Sequence, residues 1–239
     1  MKIFAYVGSM RGKLSSTYKI TMEIIDKVVE QAGEECDCNV VCANEAKVEI
    51  CKGCMQCYQS GCPIEDDVRY IEQEMEKADL IIMASPVYVH QVSGSFKNLI
   101  DRMNTLCYTL RMIGKAGITV TVSNTNGNRF VDSYLNKVMD IWGTNVVANV
   151  SIQKFPEDEL TNQIKIQKAV EKAVETIKDV QLLFKLTDNQ RLIFTNYKNI
   201  FKNAEESCLK EYWEKNRYFE CETVEEFISL KKSKFLNNE

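Results

Sequence analysis

Lys2-Ile3-Phe4-Ala5-Tyr6-Val7-Gly8-Ser9-Met10-Arg11-Gly12-Lys13-Leu14-Ser15-Ser16-Thr17 decides the fold. The apolar run from Lys2 to Val7 is too short for a helix and reads as a buried strand ended by Gly8. A hydroxyl-rich loop follows. Residues 15–31 then carry Tyr18, Met22, Ile25, Val28 and Val29 at helical spacing, with Gly33 as the stop. Strand, polar loop and helix in this order open a βαβ unit.

The pattern continues down the chain. Residues 39–42, 79–84, 116–123 and 145–152 read as strands. Residues 66–78, 95–104, 129–142 and 157–186 read as helices, the last as one long helix. Asp66 and Asp67 fall in the first turn of their helix, where the helix dipole favours negative charge. Alternating strands and helices predict a parallel sheet covered on both faces. Five strands fit the flavodoxin-like order 2-1-3-4-5. After Leu186 no strand candidate remains. Thr187-Asp-Asn-Gln190 and Thr223-Val-Glu-Glu226 resemble capping boxes. Between them Ile193, Tyr197, Phe201, Ala204 and Cys208 lie along one predicted helical face. The expected division is therefore a flavodoxin-like domain over 1–186 and a helical extension over 187–239.

Composition narrows the class. Of 239 residues, 45% are hydrophobic and 27% charged, as in an ordinary globular protein. A net charge of -4 gives no electrostatic reason to expect nucleic acid or an anionic membrane. The opening apolar run is too short for a signal peptide or a spanning helix, so the chain is expected in the cytosol, where thiols stay reduced. The ten cysteines then read as metal ligands, redox groups or packing residues rather than a disulfide framework.

Three loops and one cysteine run carry the candidate chemistry. In the first loop Ser9, Ser15, Ser16 and Thr17 offer hydroxyls, Arg11 offers a fork of donors, and the helix start offers unpaired amides. It contains neither Gly-x-Gly-x-x-Gly nor Gly-Lys-Ser/Thr, so a terminal monophosphate, as on FMN, suits it better than a pyrophosphate or a nucleoside triphosphate. The second loop, Ser85-Pro86-Val87-Tyr88-Val89-His90, follows strand three and shares the switch-point crevice with the first. Pro86 stiffens the turn, and Tyr88 can lie against a planar ring. His90, the chain's one histidine, is the single candidate for catalysis, although a lone histidine is more often a bystander. The third loop follows strand four; its Ser123, Asn124 and Gly127 could border a flavin rim or form a plain polar turn. The cysteine run is Cys51-x2-Cys54-x2-Cys57-x4-Cys62, close to a ferredoxin-type spacing. It reads as the ligand set of a [4Fe-4S] cluster, or as a zinc or redox dithiol site, or as packing. It follows strand two and is expected at the same sheet edge as the three loops. Cys36, Cys38, Cys42, Cys107, Cys208 and Cys221 lack such spacing and read as packing residues.

Taken together, Gly8-Ser-Met-Arg11 with Ser15-Ser-Thr17, the cysteine run with Asp66-Asp67, Ser85-Pro-Val-Tyr88, Ser93-Gly94-Ser95-Phe-Lys97, Ile100-Asp101-Arg102 and Glu211-Tyr-Trp-Glu214 make a resemblance. The chain resembles the NAD(P)H-dependent FMN reductase branch of flavodoxin-like proteins, and within it the iron–sulfur flavoproteins. It departs from the family pattern at Met10, where Pro is usual, and at His90, where a small residue is usual. The resemblance implies FMN at the three loops and a homodimer or homotetramer. It implies electron transfer with a ferredoxin-type or other redox partner, or NAD(P)H-linked reduction. A cluster-free NAD(P)H-dependent FMN or quinone reductase and a non-catalytic electron carrier or sensor are the alternatives.

Overall fold

The computed structural model describes residues 1–237; residues 238 and 239 of the expected extension lie outside the described residues. Five strands, β1 (Lys2–Val7), β2 (Asp37–Cys42), β3 (Leu80–Pro86), β4 (Ala116–Ser123) and β5 (Asn145–Gln153), pair in parallel in the order β2-β1-β3-β4-β5, as the sequence predicts. Every residue of β3 and β4 is buried; β3 is largely apolar, whereas β4 also buries Thr119, Thr121 and Ser123.

Side chains alternate between two apolar layers. Ile3, Ala5 and Val7 join the layer under α1 (Ser16–Ala32) and α5 (Glu159–Lys178). Phe4 and Tyr6 join the opposite layer under α2 (Val68–Lys77), α3 (Gly94–Arg102) and α4 (Asn128–Trp142). Each fully buried aliphatic or aromatic side chain stabilises by about 1.5–3 kcal/mol relative to exposure, so a one-residue slip that exchanged these faces would be costly. Among the described residues no helix is long and apolar enough to cross a membrane.

The long helix expected over 157–186 is broken. Asp179 leaves helical geometry at φ -112°, and its carboxylate accepts from the amides of Gln181 and Leu182, opening the short α6 (Val180–Leu183). Apolar periodicity ran across this cap and hid it. Beyond it, α7 (Asp188–Lys202) opens with the full capping box at Thr187 and Gln190. It ends at Asn203, so Ala204 and Cys208 do not continue its face; Ser207 instead caps a new helix, α8 (Cys208–Lys215). At α9 (Val224–Leu236) Thr223 caps as expected, but the Glu226 carboxylate takes the amide of Glu222 rather than that of Thr223.

The extension is not a solvated tail. Phe194, Phe201, Leu209, Trp213, Tyr218 and Phe227 are buried in the same apolar cluster as the α1 and α5 side of the sheet. Trp213 is fully buried, and its indole N–H donates to the Tyr108 carbonyl at 2.9 Å. Replacing Trp213 by Ala therefore removes an aromatic body and orphans that carbonyl. Trp213→Ala is expected to lower the unfolding free energy by about 3–5 kcal/mol, read as a lower denaturation midpoint in urea.

One titrating group adds a pH dependence. Half-buried Glu72 on α2 is pushed up to about 7, by burial first and by Glu76, against the opposing charges of Arg111, Arg102 and Arg69. Its usual value is 4.5. Below 4.5 folded and unfolded chains both hold the proton; between there and about 7 only the folded chain does. Its share of stability is thus present at low pH and declines as pH rises through that window. Glu72→Gln is expected to flatten the stability profile there, as measured by urea denaturation at stepped pH.

Candidate functional site

The carboxyl edge of β1 is joined to that of β3. The amide of Gly8 donates to the Ala84 carbonyl at 2.8 Å, and the hydroxyls of Ser93 and Ser95 donate to the Gly8 carbonyl. Only glycine fits at Gly8, because a Cβ would lie 2.6–2.9 Å from the Phe96 side chain. The chain then makes a tight turn over Gly12–Leu14 into α1. Ser15 caps α1: its hydroxyl accepts from the Tyr18 amide at 3.1 Å and donates to the Gly12 carbonyl at 2.7 Å. The amides of Ser16 and Thr17 are the first two of the helix and have no intrahelical acceptor.

These groups open on a cleft of about 130 Å³. Ser9, Arg11, Ser15, Ser16 and Thr17 line one wall, and Pro86, Val87, Tyr88, Ser123 and Asn124 line the other. Ten expected residues from three loops are therefore brought together. Lys154, just past β5, also lines the cleft and was missed by the sequence reading. Its amide donates to the Ser123 carbonyl at 3.1 Å, which carries it to the third loop. Arg11 and Lys154 have no ion-pair partner among the described residues, and no acidic side chain lines the cleft. Two unpaired cations, two free amides and the unpartnered hydroxyls of Ser16 and Thr17 make a site for an anion.

Three expected residues do not line the cleft. Ser85 is fully buried; its hydroxyl donates to the Pro86 carbonyl at 2.8 Å and accepts from the Ser93 amide at 3.2 Å. It shapes the loop from behind. His90 stacks on Phe130, with ring centres 5.3 Å apart, and its Nε2 lies 3.0 Å from the Asn126 side-chain oxygen. Gly127 sits beneath it at φ +93°, where a Cβ would lie 2.7 Å from the His90 ring and 2.8 Å from Val87. His90 thus joins the second and third loops. Val89 and His90 have φ of +50° and +60°, closing a tight turn in which Tyr88 and Gln91 exchange backbone hydrogen bonds. A β-branched residue in left-handed geometry stores strain, of order 1–3 kcal/mol. Val89 is also 99% exposed, so this strained tip projects from the cleft rim.

The cysteine loop corrects one expectation. It leaves β2 at the edge of the three cleft loops, but its cysteines descend along α3. Cys51 is held by Asn98, whose side-chain oxygen accepts the Cys51 amide at 3.1 Å. Arg102, at the last turn of α3, donates to the Cys62 sulfur at 3.5 Å. The nine-residue α3 sets Arg102 about 12 Å of helix below Gly94. Asn98 and Arg102 draw the loop down because they supply donors to the Val48 and Glu49 carbonyls, which an irregular segment leaves unpaired.

Asp66 and Asp67 serve both the start of α2 and this loop: Asp66 accepts the first amide of α2, that of Val68, at 3.2 Å. Both oxygens of Asp66 meet Arg102, at 2.5 and 3.1 Å, in a pair whose side chains are almost wholly buried. Burial alone would raise the Asp66 pKa, but the Arg102 guanidinium and the amides of Glu49 and Val68 hold it below the usual carboxylate value. Asp67 accepts the Lys47 amide at 2.6 Å.

Cys51, Cys54, Cys57 and Cys62 all line one pocket of about 70 Å³. Burial, and then the neighbouring Cys62, Cys51 and Cys54, push the Cys57 thiol up. Gly53, Met55 and Gly61 take left-handed φ values that fold the run around this pocket. Among the described residues no three His, Cys, Asp or Glu side chains are drawn to metal-holding distance. The donor set and its wrapped backbone fit a thiolate-ligated centre. Cys208, read from spacing as a packing residue, touches this loop: its amide donates to the Gln59 carbonyl at 2.8 Å and its thiol to the Cys57 carbonyl at 3.1 Å.

Known proteins are similar to this chain over most of its length. An iron-sulfur flavoprotein of Archaeoglobus fulgidus is 32% identical over 145 residues, covering 60% of this chain and 64% of its own length. The matched part therefore spans less than two thirds of that relative. An iron-sulfur flavoprotein of Clostridioides difficile is 29% identical, covering 72% of this chain and 77% of that one. Among solved structures, RosB with bound 8-demethyl-8-formylriboflavin-5'-phosphate superposes with a TM-score of 0.61 at 14% identity, covering 86% of this chain and 88% of that one. An NAD(P)H:quinone oxidoreductase from Methanothermobacter marburgensis gives 0.55 at 14% identity, covering 73% and 95%. These likenesses show the flavodoxin-like fold. The model of the NADPH-dependent FMN reductase family matches residues 1–157, well over half of the chain, and the chain belongs to that family.

Proposed function

We propose that this protein is an electron-transferring iron–sulfur flavoprotein. It would hold FMN by its phosphate in the β1–β3 cleft and a [4Fe-4S] cluster on Cys51, Cys54, Cys57 and Cys62. The observation that carries the flavin half is the cleft itself, with α1 amides, two hydroxyls, Arg11 and Lys154 around an acid-free volume. Flavin and cluster supply the electron chemistry when bound; the chain supplies binding, orientation and access.

Arg11 and Lys154 neutralise the phosphate while Ser16 and Thr17 donate to it. At about 130 Å³ the cleft is smaller than the ~300–1,000 Å³ of a typical whole-ligand pocket. A flavin anchored there by its phosphate would extend past the cleft, whose rim carries the half-exposed Tyr88 and the strained Val89–His90 tip. These rim residues would then border access for NAD(P)H, a ferredoxin-type partner or a second subunit. The small cleft and the descent of the cysteines along α3 favour a homodimer or homotetramer in which one subunit's cysteine loop would meet another's cleft. Residues 1–186 would bind the flavin, with 187–239 as the supporting extension. The likeness to iron-sulfur flavoproteins supports this reading, and so does the cysteine donor set.

Fluorescence-quenching titration of flavin-free protein with FMN tests the proposal, followed by NAD(P)H oxidation with an added acceptor. Tight binding of about one FMN per chain is expected. Arg11→Ala and Thr17→Ala should each weaken it by about 1–3 kcal/mol, or roughly 5- to 150-fold. Binding unchanged in both variants would place the flavin elsewhere. Turnover of NAD(P)H by iron-free protein would mark a cluster-free reductase. FMN binding without any turnover would mark a carrier.

A further inference from the structure

The two ends of the cysteine loop are held by the flavodoxin-like core, through Asp67, Asn98 and Asp66–Arg102. Its middle is held by the core and the extension together. The short turn Gln56–Tyr58 lies between left-handed residues at Met55 and Gly61. The amide and thiol of Cys208 grip the Gln59 and Cys57 carbonyls at 2.8 and 3.1 Å. The Tyr58 ring meets Tyr108 edge-on at 5.3 Å, and Asn104 donates to its hydroxyl. Tyr108 is itself held by the extension, through the Trp213 indole at its carbonyl and the Tyr197 ring at 5.0 Å.

We infer that the C-terminal extension is a clasp for the cysteine loop, with Cys208, the first residue of α8, as the positioning residue that fixes the Cys57 turn. This role was invisible to spacing, because Cys57 and Cys208 lie 151 positions apart. The amide of Cys208 is free for the task because the first amides of a helix have no partner within it. The clasp concerns the order of the loop. Its consequence for iron rests on the cluster reading proposed above.

The position allows a selective test. Proline is tolerated at the first residue of a helix, and Ser207, at φ -159° and ψ 159°, already has the extended geometry that a following proline favours. Cys208→Pro therefore removes both grips while Ser207 still caps α8. Hydrogen exchange of the full-length, metal-free, flavin-bound protein is followed by mass spectrometry over residues 51–62 and over α8. Faster exchange of 51–62 is expected in Cys208→Pro, by at least about fivefold, the change given by losing one hydrogen bond worth about 1 kcal/mol. FMN content should not change. Unaltered exchange of 51–62 with α8 still protected would overturn the clasp.

If Cys208→Pro also loosens α8, a milder pair decides. Cys208→Ala loses only the thiol grip, whereas Cys208→Ser keeps a hydroxyl donor. Faster loop exchange in Ala than in Ser supports the clasp, and equal rates refute it. Iron retention after anaerobic reconstitution should follow the same order. If the unsubstituted protein takes up no iron, the cluster reading fails, while the exchange result still decides the clasp.

Discussion

The crevice at the centre of this structure exists because α1 and α3 leave adjacent strands on opposite faces of the sheet. Among the described residues the cleft at the carboxyl ends of β1 and β3 is lined by loops, strand ends and the first turn of α1, so a ligand can approach the backbone there. Closing the joint is a matter of steric fit. Gly8 lacks a Cβ and lets Phe96 pack against its backbone, and the Gly8 carbonyl takes the Ser93 and Ser95 hydroxyls. The second loop is thereby fixed against the first. The two walls of the cleft thus face each other across that contact.

The cysteine loop depends on a different kind of interaction. Asp66 and Arg102 are a buried ion pair, and burying two charges offsets much of their attraction. Here the pair is embedded in further hydrogen bonds, from the Glu49 and Val68 amides to Asp66 and from Arg102 to the Glu49 carbonyl and the Cys62 sulfur. Such a network contributes direction more than stability. It fixes where an otherwise irregular segment crosses α3, and the middle of that segment is shared between Asn104 and Tyr108 of the core and Cys208 of the extension. The extension can do this because Trp213 and its aromatic neighbours are rooted in the same apolar cluster as the sheet.

Much of this was legible in the sequence because it is local. Short apolar runs gave the strands, and the strand–loop–helix opening gave the order of the sheet and the polar loop at α1. Ten of the cleft residues were found because helix N-termini and post-strand loops announce themselves. What was missed is non-local or masked. Lys154 reaches the cleft only through the pairing of β4 with β5. Cys208 reaches Cys57 only through the folding of the extension. Asp179 is a readable cap, but apolar spacing on both sides of it mimicked one helix. Asp66 does meet the first amide of α2, but its second partner, Arg102, lies 36 positions away and was not foreseen. The end of α7 carries neither Gly nor Pro, so nothing local marked it.

The account joins a flavin cleft and a cysteine centre in one chain, and their content in the purified protein tests it most directly. Protein prepared without oxygen and reconstituted with FMN, iron and sulfide is assayed for all three. The account predicts about one flavin, four iron and four acid-labile sulfide per chain, with the iron lost and the flavin kept in Cys57→Ala. A chain that retains no flavin would contradict the account at its centre. Flavin without iron or sulfide would contradict the assignment of Cys51, Cys54, Cys57 and Cys62.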